Sequence, residues 1–236
     1  MPRTETTIPN PGQIREAAAA IAHSLDDVVY AIVGGAACSI LGSPRLTSDV
    51  DIVVPRGETR DTRRKLKDDP AHFDVEKRTL HTYYRSSPKV EVEILSPPAL
   101  FKEPFDSDTP VVLVGGIKVL KPSLILNAKC NSVANRNSED KRQNDAADIV
   151  FCLEWCAANN KLPTSSEVPH ASKDFVEAFI EEYGEAHCWT NAGYNLKTGM
   201  LSCLYQVFVS FTSADILIYR DVREDIDVWR SFICID

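Results

Sequence analysis

Apolar and polar residues repeat with two different periods along the chain, and the pattern changes near residue 120. Upstream, short β-branched or alternating runs predict strands over 28–33, 49–54, 71–78, 80–84, 89–95 and 111–114. Helices are predicted in the same part over 14–25, 36–41 and 58–69, and the four prolines of 96–110 predict a loop. Downstream, helical spacing predicts helices over 123–134, 139–158, 171–182 and about 199–219.

This order of elements predicts an α/β (α+β) fold, in which a small mixed β-sheet is flanked by helices and followed by a mainly helical C-terminal half. A chain of 236 residues is long enough for one large domain or two small ones. We therefore expect a β-rich core over residues 1–117 and a mainly helical part over residues 118–236.

Composition narrows the class of protein. The chain is 44% apolar and 25% charged, fractions that are ordinary for a soluble globular protein. No stretch approaches the ~20 apolar residues of a membrane span, and the N-terminal MPRTETTIPNPG lacks the apolar core of a secretory signal. We therefore expect a cytoplasmic or nuclear protein, with the cytoplasm as the default, and no membrane partner. The net charge of −8 argues against a protein that coats nucleic acid non-specifically.

Seven cysteines are spread along the chain, at positions 38, 130, 152, 156, 188, 203 and 234. None forms a CxxC pair, and no histidine stands at ligand spacing from the helix-spaced Cys152 and Cys156. We predict reduced, mostly buried thiols rather than a zinc site or a disulfide framework. The five histidines fall in no nucleophile or ligand pattern either.

Two carboxylates on one predicted strand are the first candidates for chemistry. Asp49 and Asp51 stand two residues apart in DVDIVV, so both side chains leave the same face of the strand, with Cα atoms about 7 Å apart. Carboxylates held together repel each other unless a cation lies between them. Mg²⁺ is such a cation, because it prefers carboxylate and phosphate oxygens. A third carboxylate is available in KVEVEIL, which offers Glu91 and Glu93 on one face.

Paired glycines precede this strand. Gly34 and Gly35 follow the apolar run VVYAIV and open a short predicted helix. Without Cβ atoms the backbone can approach a triphosphate closely, and the N-terminus of the following helix faces the phosphates. By itself a DxD pair is more often part of an exposed strand face than a metal site. A GG pair by itself is more often an ordinary turn than a phosphate-binding bend. In the order strand, GG, short helix, strand with DxD, they favour a nucleotide site.

The segment from Val33 to Ile52, VGGAACSILGSPRLTSDVDI, resembles the signature of the DNA polymerase beta-like nucleotidyltransferases. It is most similar to the branch that holds the AbiEii-type toxins and the lincosamide and aminoglycoside nucleotidyltransferases. In that branch a GG turn is followed by leucine-glycine, an arginine, a threonine and then DxD. The resemblance implies a nucleotidyltransferase core and an Mg²⁺ (or Mn²⁺) site at Asp49 and Asp51. It also implies contacts to an NTP from Gly34, Gly35, Arg45 and Ser48.

The third carboxylate of that family is usually an aspartate, whereas this chain offers glutamates. The sequence VEIL fits the family's strand pattern better than VEV, so we favour Glu93 as the third catalytic and metal-binding residue, with Glu91 as the alternative. Glutamate reaches one methylene further than aspartate, and this departure bears on ion placement and on catalytic rate.

A second segment extends the resemblance. AbiEii-type proteins carry a lysine, an arginine seven residues on, and a KDxxD pattern that opens the next helix. Lys129 and Arg136 match the first two, and Asp145 and Asp148 match the two acids. The resemblance implies that Lys129 and Arg136 bind the NTP, with an aspartate three or four residues along orienting the lysine.

One position in this region departs from the family pattern, and a second DxD pair lies beyond the residues that resemble the family. Asn144 stands where the family has a lysine, and Lys141, one helical turn back, could replace the missing charge. The resemblance covers residues 28 to about 153. A second DxD pair, Asp225 and Asp227, has no glycine turn before it and is predicted to be surface.

Together these observations predict Mg-dependent transfer of a nucleoside monophosphate from an NTP to a hydroxyl of an acceptor, with release of pyrophosphate. The acceptor stays open between a small molecule, a tRNA and a protein, and so do the base of the NTP and the oligomeric state. One alternative is an RNA-directed, toxin-like transferase. Another is a catalytically weak or inactive protein that uses this fold to bind nucleotide or a partner, which the third-position glutamate and Asn144 favour.

Overall fold

The computed structural model describes residues 8–201, which form both helices and strands. The helices in this range are α1 (Pro11–Ser24), α2 (Gly34–Leu41), α3 (Thr59–Lys67), α4 (Pro122–Asn135), α5 (Glu139–Ala158), α6 (Lys173–Tyr183) and α7 (Ala186–Asn191). The strands are β1 (Ala31–Val33), β2 (Asp49–Val53), β3 (Phe73–Val75), β4 (Thr82–Tyr84), β5 (Val90–Leu95), β6 (Val111–Val114), β7 (Ile117–Leu120), β8 (Tyr194–Asn195) and β9 (Met200–Leu201).

Seven of these strands form one mixed sheet in the order β3-β4-β5-β2-β1-β7-β6, and β8 pairs with β9 separately. Strands β2 and β5 are parallel, as are β1 and β7, and the other neighbours in the sheet are antiparallel. The predicted α/β class, a mixed sheet flanked by helices and followed by a mainly helical part, is confirmed.

The centre of the sheet is built from strands whose residues alternate between the core and the opposite face. In β2, Val50 and Ile52 are fully buried, and in β5 Val90 is fully buried and Val92 nearly so. Helix α1 packs against both strands, and its Ile21 is buried. Because side chains on a strand alternate in direction, the acidic residues between these apolar positions face away from this core.

The helices that follow the sheet pack on one another and on α2. Helices α4 and α5 contact each other along their length, and α5 also contacts α2 and α7. The buried face of α5 combines apolar Ile149 and Leu153 with the carboxylates of Asp145 and Asp148, an arrangement that requires cationic partners. Within residues 8–201, none of the helices combines the length and the apolar character that crossing a membrane requires.

Some predicted elements differ from the observed ones. The sequence predicts a strand over 111–114 and none directly after it, whereas the chain continues after the Gly115–Gly116 turn into β7, which pairs with both β6 and β1. Residues 71–78 form only the short strand β3, and neither α7 nor β8 was predicted. The helix predicted from about residue 199 is wrong at its start, where Met200–Leu201 form β9; its remainder and the Asp225/Asp227 pair lie outside the described residues.

The cysteines within the described range are buried, as predicted. Cys38, Cys130, Cys152, Cys156 and Cys188 are all buried, and none is in a disulfide. Burial raises the pKa of Cys130 well above its usual value and that of Cys156 to about 12, which leaves both as neutral thiols.

Candidate active site

Four carboxylates lie on one face of the sheet where β2 and β5 run side by side. The register of these parallel strands pairs Asp49 with Glu91 and Asp51 with Glu93. Residues paired in register point to the same face of a sheet. Since the intervening Val50 is fully buried, the four carboxylates face away from the apolar core.

Three of these carboxylates open into a single cavity of about 460 Å³. Asp49, Asp51 and Glu93 line this cavity, whereas Glu91 does not. The Glu91 carboxylate lies 2.6 Å from Nδ1 of His81, the residue before β4. The geometry therefore brings Glu93, rather than Glu91, together with the two aspartates in the cavity.

Burial and the charges of neighbouring carboxylates both raise the pKa of acids in this cluster. Burial, followed by the neighbouring Asp49 and Glu93 carboxylates, raises the pKa of Asp51 to about 7. Burial, Asp49 and Glu91 likewise raise the pKa of Glu93 above its usual value. Asp49 accepts a hydrogen bond of 2.9 Å from the Thr47 hydroxyl, but no hydrogen bond reaches the Asp51 carboxylate from the described part of the chain. Such a carboxylate is costly to ionise unless a cation joins it.

This donor set fits a hard divalent cation. Carboxylate oxygens are the ligands that Mg²⁺ and Mn²⁺ prefer, and Mg²⁺ binds through one or two carboxylates while keeping positions for water and substrate phosphates. Asp49, Asp51 and Glu93 are the residues of the cavity that could hold such an ion. A dication between them would also remove the repulsion that raises the pKa of Asp51.

The paired glycines touch this acidic cluster. Gly34 has a φ of +65°, and a Cβ atom at this position would lie 2.6 Å from Oδ2 of Asp51. A Cβ atom on Gly35 would lie 2.4 Å from Nη2 of Arg45 and 3.0 Å from Oγ1 of Thr47. Both the left-handed backbone and the available space therefore exclude a side chain at position 34. Gly35 lines the cavity, so the glycine bend and the acids share it.

A chain of alternating charges, here named the charge ladder, forms a second part of the cavity wall. Nζ of Lys129 on α4 lies 2.6 Å from Asp145 and 2.7 Å from Asp148, both on α5. Asp148 also accepts two hydrogen bonds of 2.8 Å from Nε and Nη2 of Arg45. Asp145 accepts one from Nε of Arg136. The charge ladder thus runs Arg45, Asp148, Lys129, Asp145, Arg136.

The centre of the ladder is buried, its two arginines are more exposed, and the ladder has an excess of positive charge. Lys129 is 9% exposed, and both aspartates are more deeply buried than that. Burial lowers the pKa of Lys129, but Asp148 and Asp145 outweigh this effect and raise it overall. For Arg45 burial is likewise outweighed by Asp148, and the pKa rises. Three cations against two carboxylates leave a net positive charge beside the cavity, which attracts an anionic ligand.

Most residues predicted to bind the NTP line the cavity. They are Gly35, Arg45, Ser48, Lys129 and Arg136, while Gly34 lies behind Asp51 and is not part of the lining. Arg45 has partners that the sequence did not reveal, since three of its nitrogens are engaged by Asp148 and the Leu46 carbonyl. It therefore ties the loop after α2 to α5 in addition to lining the cavity.

The lysine position that departs from the family pattern is also in the cavity. Asn144 and Lys141 both line it, and the charge of Lys141 counteracts part of the rise in the pKa of Glu93. Lys141 is thus close enough to supply the positive charge that Asn144 lacks.

Sequence reasoning assigned no role to Thr47, Ile8 or Leu46, which line the cavity as well. The Thr47 hydroxyl donates to Asp49. Its place two residues before Asp49, on the same side of an extended chain, is the signal that could have found it. No pattern in the sequence points to Ile8 or Leu46.

Comparison with known proteins relates this arrangement to solved structures. No protein-family model and no curated protein matches the sequence. The chain is similar to an antigenic nucleotidyltransferase-like protein from Paracoccidioides brasiliensis, with 25% identity and a TM-score of 0.59 over 81% of this chain and 95% of that one. It is also similar to JHP933 from Helicobacter pylori, with 15% identity and a TM-score of 0.52 over 75% of this chain and 80% of that one. The chain therefore has the fold of nucleotidyltransferase-like proteins, which supports the superfamily that its glycine and DxD segment resembles.

Proposed function

We propose that this protein transfers a nucleoside monophosphate from an NTP to a hydroxyl group of an acceptor and releases pyrophosphate. The observation that carries the proposal is the meeting of three carboxylates, from two adjacent strands, with a Gly-Gly bend in one cavity. The four cationic side chains that line the same cavity suit an anionic triphosphate.

In this proposal Asp49, Asp51 and Glu93 hold Mg²⁺ or Mn²⁺. Bound there, the metal supplies Lewis-acid stabilisation of the α-phosphate and of the leaving pyrophosphate. The free backbone N–H groups at the start of α2, next to Gly34 and Gly35, and the Ser48 hydroxyl contact the phosphates. The glycines are required because a Cβ atom at either position would occupy space already filled by Asp51 or Arg45.

The charge ladder binds the leaving end of the triphosphate. Arg45, Lys129 and Arg136 line the cavity and offset the negative charge of the β- and γ-phosphates. Two aspartates hold Nζ of Lys129 in place before the nucleotide arrives. Such preorganised charge needs little rearrangement when charge develops in the transition state.

The reaction forms one bond and breaks one bond at phosphorus. The acceptor oxygen bonds to the α-phosphorus as the bond from that phosphorus to the bridging oxygen of pyrophosphate breaks. The hydroxyl proton passes to solvent. Residues 1–117 act in this proposal as the catalytic core, and residues 118–236 complete the cleft for NTP and acceptor. The free, buried thiols of the described range suit a reducing compartment such as the cytoplasm.

The acceptor is proposed from the resemblance of the sequence segments. The branch with AbiEii-type toxins and the lincosamide and aminoglycoside nucleotidyltransferases suggests a small molecule or a tRNA, with a protein hydroxyl as the third class. These acceptors are separated by incubating the protein with Mg²⁺ and NTP in the presence of aminoglycosides, lincosamides, total tRNA or no acceptor.

The decisive measurement follows the two ends of the triphosphate. With NTP labelled at the α-phosphate, we expect the label in the acceptor or in the protein itself; with NTP labelled at the γ-phosphate, we expect it in pyrophosphate. The Asp49→Ala, Asp51→Ala variant should transfer no label, whereas the control Asp61→Asn, an exposed residue of α3, should match the wild type. Absence of both transfer and NTP binding in calorimetry would contradict the proposal.

A second candidate is a protein that binds nucleotide or a partner without turnover. It is favoured by Asn144, which lies in the cavity where the resembled family has a lysine, and by glutamate at the third acidic position. NTP binding in calorimetry without any transfer, together with an unchanged cellular phenotype for the Asp49→Ala, Asp51→Ala variant, would favour this binding role.

A further inference from the structure

A second cluster of metal-ligand side chains lies outside the cavity described above. Glu154 on α5 and His187 and Cys188 on α7 bring a carboxylate, an imidazole and a thiol together, with ligand atoms within 4.8 Å of one another. Sγ of Cys188 is 3.4 Å from Nε2 of His187 and 3.7 Å from Oε1 of Glu154. Cys188 is buried, and the other two side chains are exposed, so the sulfur forms the floor of a site that is open to solvent.

Two of the three spacings match the edges of a tetrahedron around a metal, and the third is within 4.8 Å. With a metal–sulfur distance of about 2.3 Å and metal–nitrogen or metal–oxygen distances of about 2.0–2.2 Å, tetrahedral ligands lie roughly 3.6 Å apart. The two sulfur distances of 3.4 Å and 3.7 Å bracket this value. A metal could therefore enter with small adjustments of the exposed Glu154 and His187 side chains.

A further carboxylate lies beside the same histidine. Oε2 of Glu185 is 3.5 Å from Nδ1 of His187 and 3.8 Å from Sγ of Cys188. A carboxylate beside the second ring nitrogen is the arrangement that orients a metal-bound imidazole and fixes its tautomer. Within the described range, neither Glu154 nor Glu185 forms an ion pair with a lysine or arginine, so a cation would supply charge that the cluster lacks.

We propose that Glu154, His187 and Cys188 bind a divalent transition metal of the class of Zn²⁺ or Co²⁺, with Glu185 behind the histidine. Thiolate and imidazole ligands select such metals over Mg²⁺, which prefers oxygen. The Cys188 thiol loses its proton to solvent on binding. Three protein ligands leave the fourth tetrahedral position to a water molecule.

This metal would act apart from the catalytic cavity. Glu154 stands nine residues beyond Asp145 on α5, which corresponds to about 14 Å along the helix and to the opposite side of it. Asp145 lines the cavity, whereas Glu154 contacts Cys188 of α7. The metal therefore joins α5 to α7 and stabilises the packing of these two helices. No pattern in the sequence indicates this site, because more than thirty positions separate Glu154 from the adjacent His187 and Cys188.

The test uses Co²⁺ as a spectroscopic substitute for Zn²⁺ on the reduced, untagged, full-length chain in the presence of Mg²⁺. We expect one equivalent of Co²⁺ to give a thiolate-to-metal charge-transfer band in the near ultraviolet, which excess Zn²⁺ removes. No described cysteine lines the catalytic cavity, so Co²⁺ bound there gives no such band. The band should disappear in Cys188→Ser, and Glu154→Gln should weaken Co²⁺ binding at least about tenfold.

Matched variants separate a metal site from a general effect on the fold. Cys156→Ser, a buried cysteine on α5, and Glu181→Gln, an exposed glutamate on α6, should keep both the band and the affinity. Zn²⁺ should raise the melting temperature of the wild type and of Glu181→Gln but not of His187→Ala. If the wild type shows no band, or if the band persists in Cys188→Ser or is unchanged in both Glu154→Gln and His187→Ala, the assignment is overturned.

Discussion

Asp51 on β2 lies in register with Glu93 on the parallel strand β5, and both carboxylates reach the cavity that Gly35 lines. Burial is the largest effect that opposes ionisation of both carboxylates; the charge of Asp49 adds to it at each, and the charge of Glu93 adds to it at Asp51. Without a cation, the folded protein therefore carries an electrostatic cost at the site where the proposed chemistry takes place. This cost connects the stability of the fold with the proposed activity.

Removing one charge of this pair should stabilise the metal-free protein and abolish activity. Asp51→Asn keeps the size of the side chain but removes the charge that Asp49 and Glu93 oppose. We expect the melting temperature in EDTA at pH 7.5 to rise by several degrees, and nucleotidyl transfer to fall at least about a hundredfold. The contrary outcome is a variant that is less stable than the wild type in EDTA, or one that retains transfer.

The stabilisation by Asp51→Asn should depend on pH in a defined window. The folded-state pKa of Asp51, about 7, lies above its ordinary value of 3.8. Below the ordinary value both states hold the proton and there is no cost. Between the two values only the unfolded state releases it, so the wild type loses stability as pH rises, and above about 7 the loss is complete.

Measured in EDTA by urea unfolding, the stability advantage of Asp51→Asn should therefore be small at pH 4 and grow up to pH 7.5. At about 1.4 kcal/mol per pKa unit the full difference is on the order of 4 kcal/mol. Mg²⁺ should recover stability in the wild type at pH 7.5 but not in the variant. A difference that stays constant from pH 4 to pH 7.5 would show that Asp51 does not carry this effect.

The two candidate third carboxylates are separated by matched substitutions. Glu93 lines the cavity with the aspartates, whereas the Glu91 carboxylate is engaged by His81. We expect Glu93→Gln to weaken Mg²⁺ binding and to lower transfer by roughly tenfold to a hundredfold, because it removes one metal ligand. Glu91→Gln should stay within about twofold of the wild type. The reverse order of effects would assign the third position to Glu91.

The spacing of Asp49 and Asp51 was enough to predict that both leave the same face, because side-chain direction along a strand is a local property. The parallel pairing that brings Glu93 opposite Asp51 is not local. It depends on how β2 and β5 associate, and the sequence alone left Glu91 and Glu93 open. The register pairs each glutamate with one aspartate, and the cavity lining separates the two glutamates.

The sequence alone did not reveal the ion-pair partner of Arg45 either. Asp148 is 103 positions away and meets Arg45 only because α5 packs against α2. The family resemblance suggested phosphate contacts for Arg45 and no such bond. Strand β7 was missed for a related reason, since IKVL is too short to be a strong pattern and is fixed by pairing with β1 and β6.

The conformation of Gly34 provides a test with a close control elsewhere in the chain. Gly34 and Gly115 have φ values of +65° and +58°, but a Cβ atom would meet Asp51 at Gly34 and nothing within 4 Å at Gly115. Both alanine variants should therefore lose roughly 1 kcal/mol of stability through backbone strain. Only Gly34→Ala should also displace Asp51 and lose Mg²⁺ binding and transfer. Equal activity in the two variants would show that contact between the glycine bend and the acid is not needed.

Asp148 is the member of the charge ladder whose loss should cost most stability. It is fully buried and accepts hydrogen bonds from Arg45 while it contacts Lys129. Asp148→Asn leaves Lys129 with Asp145 as its remaining carboxylate partner and takes from Arg45 the carboxylate that it contacts, and removing one member of a buried ion pair costs roughly 3–5 kcal/mol. We expect the free energy of unfolding, measured with urea at pH 7.5, to fall by a matching amount. We also expect a higher KM for NTP, because Lys129 and Arg45 no longer keep their positions.

The control is Asp27→Asn, which breaks the exposed pair with Lys65 and should leave both quantities unchanged, since exposed ion pairs contribute little. Equal effects of the two substitutions would mean that the ladder is no more than a set of surface contacts, and its proposed role in holding the triphosphate would fall with it.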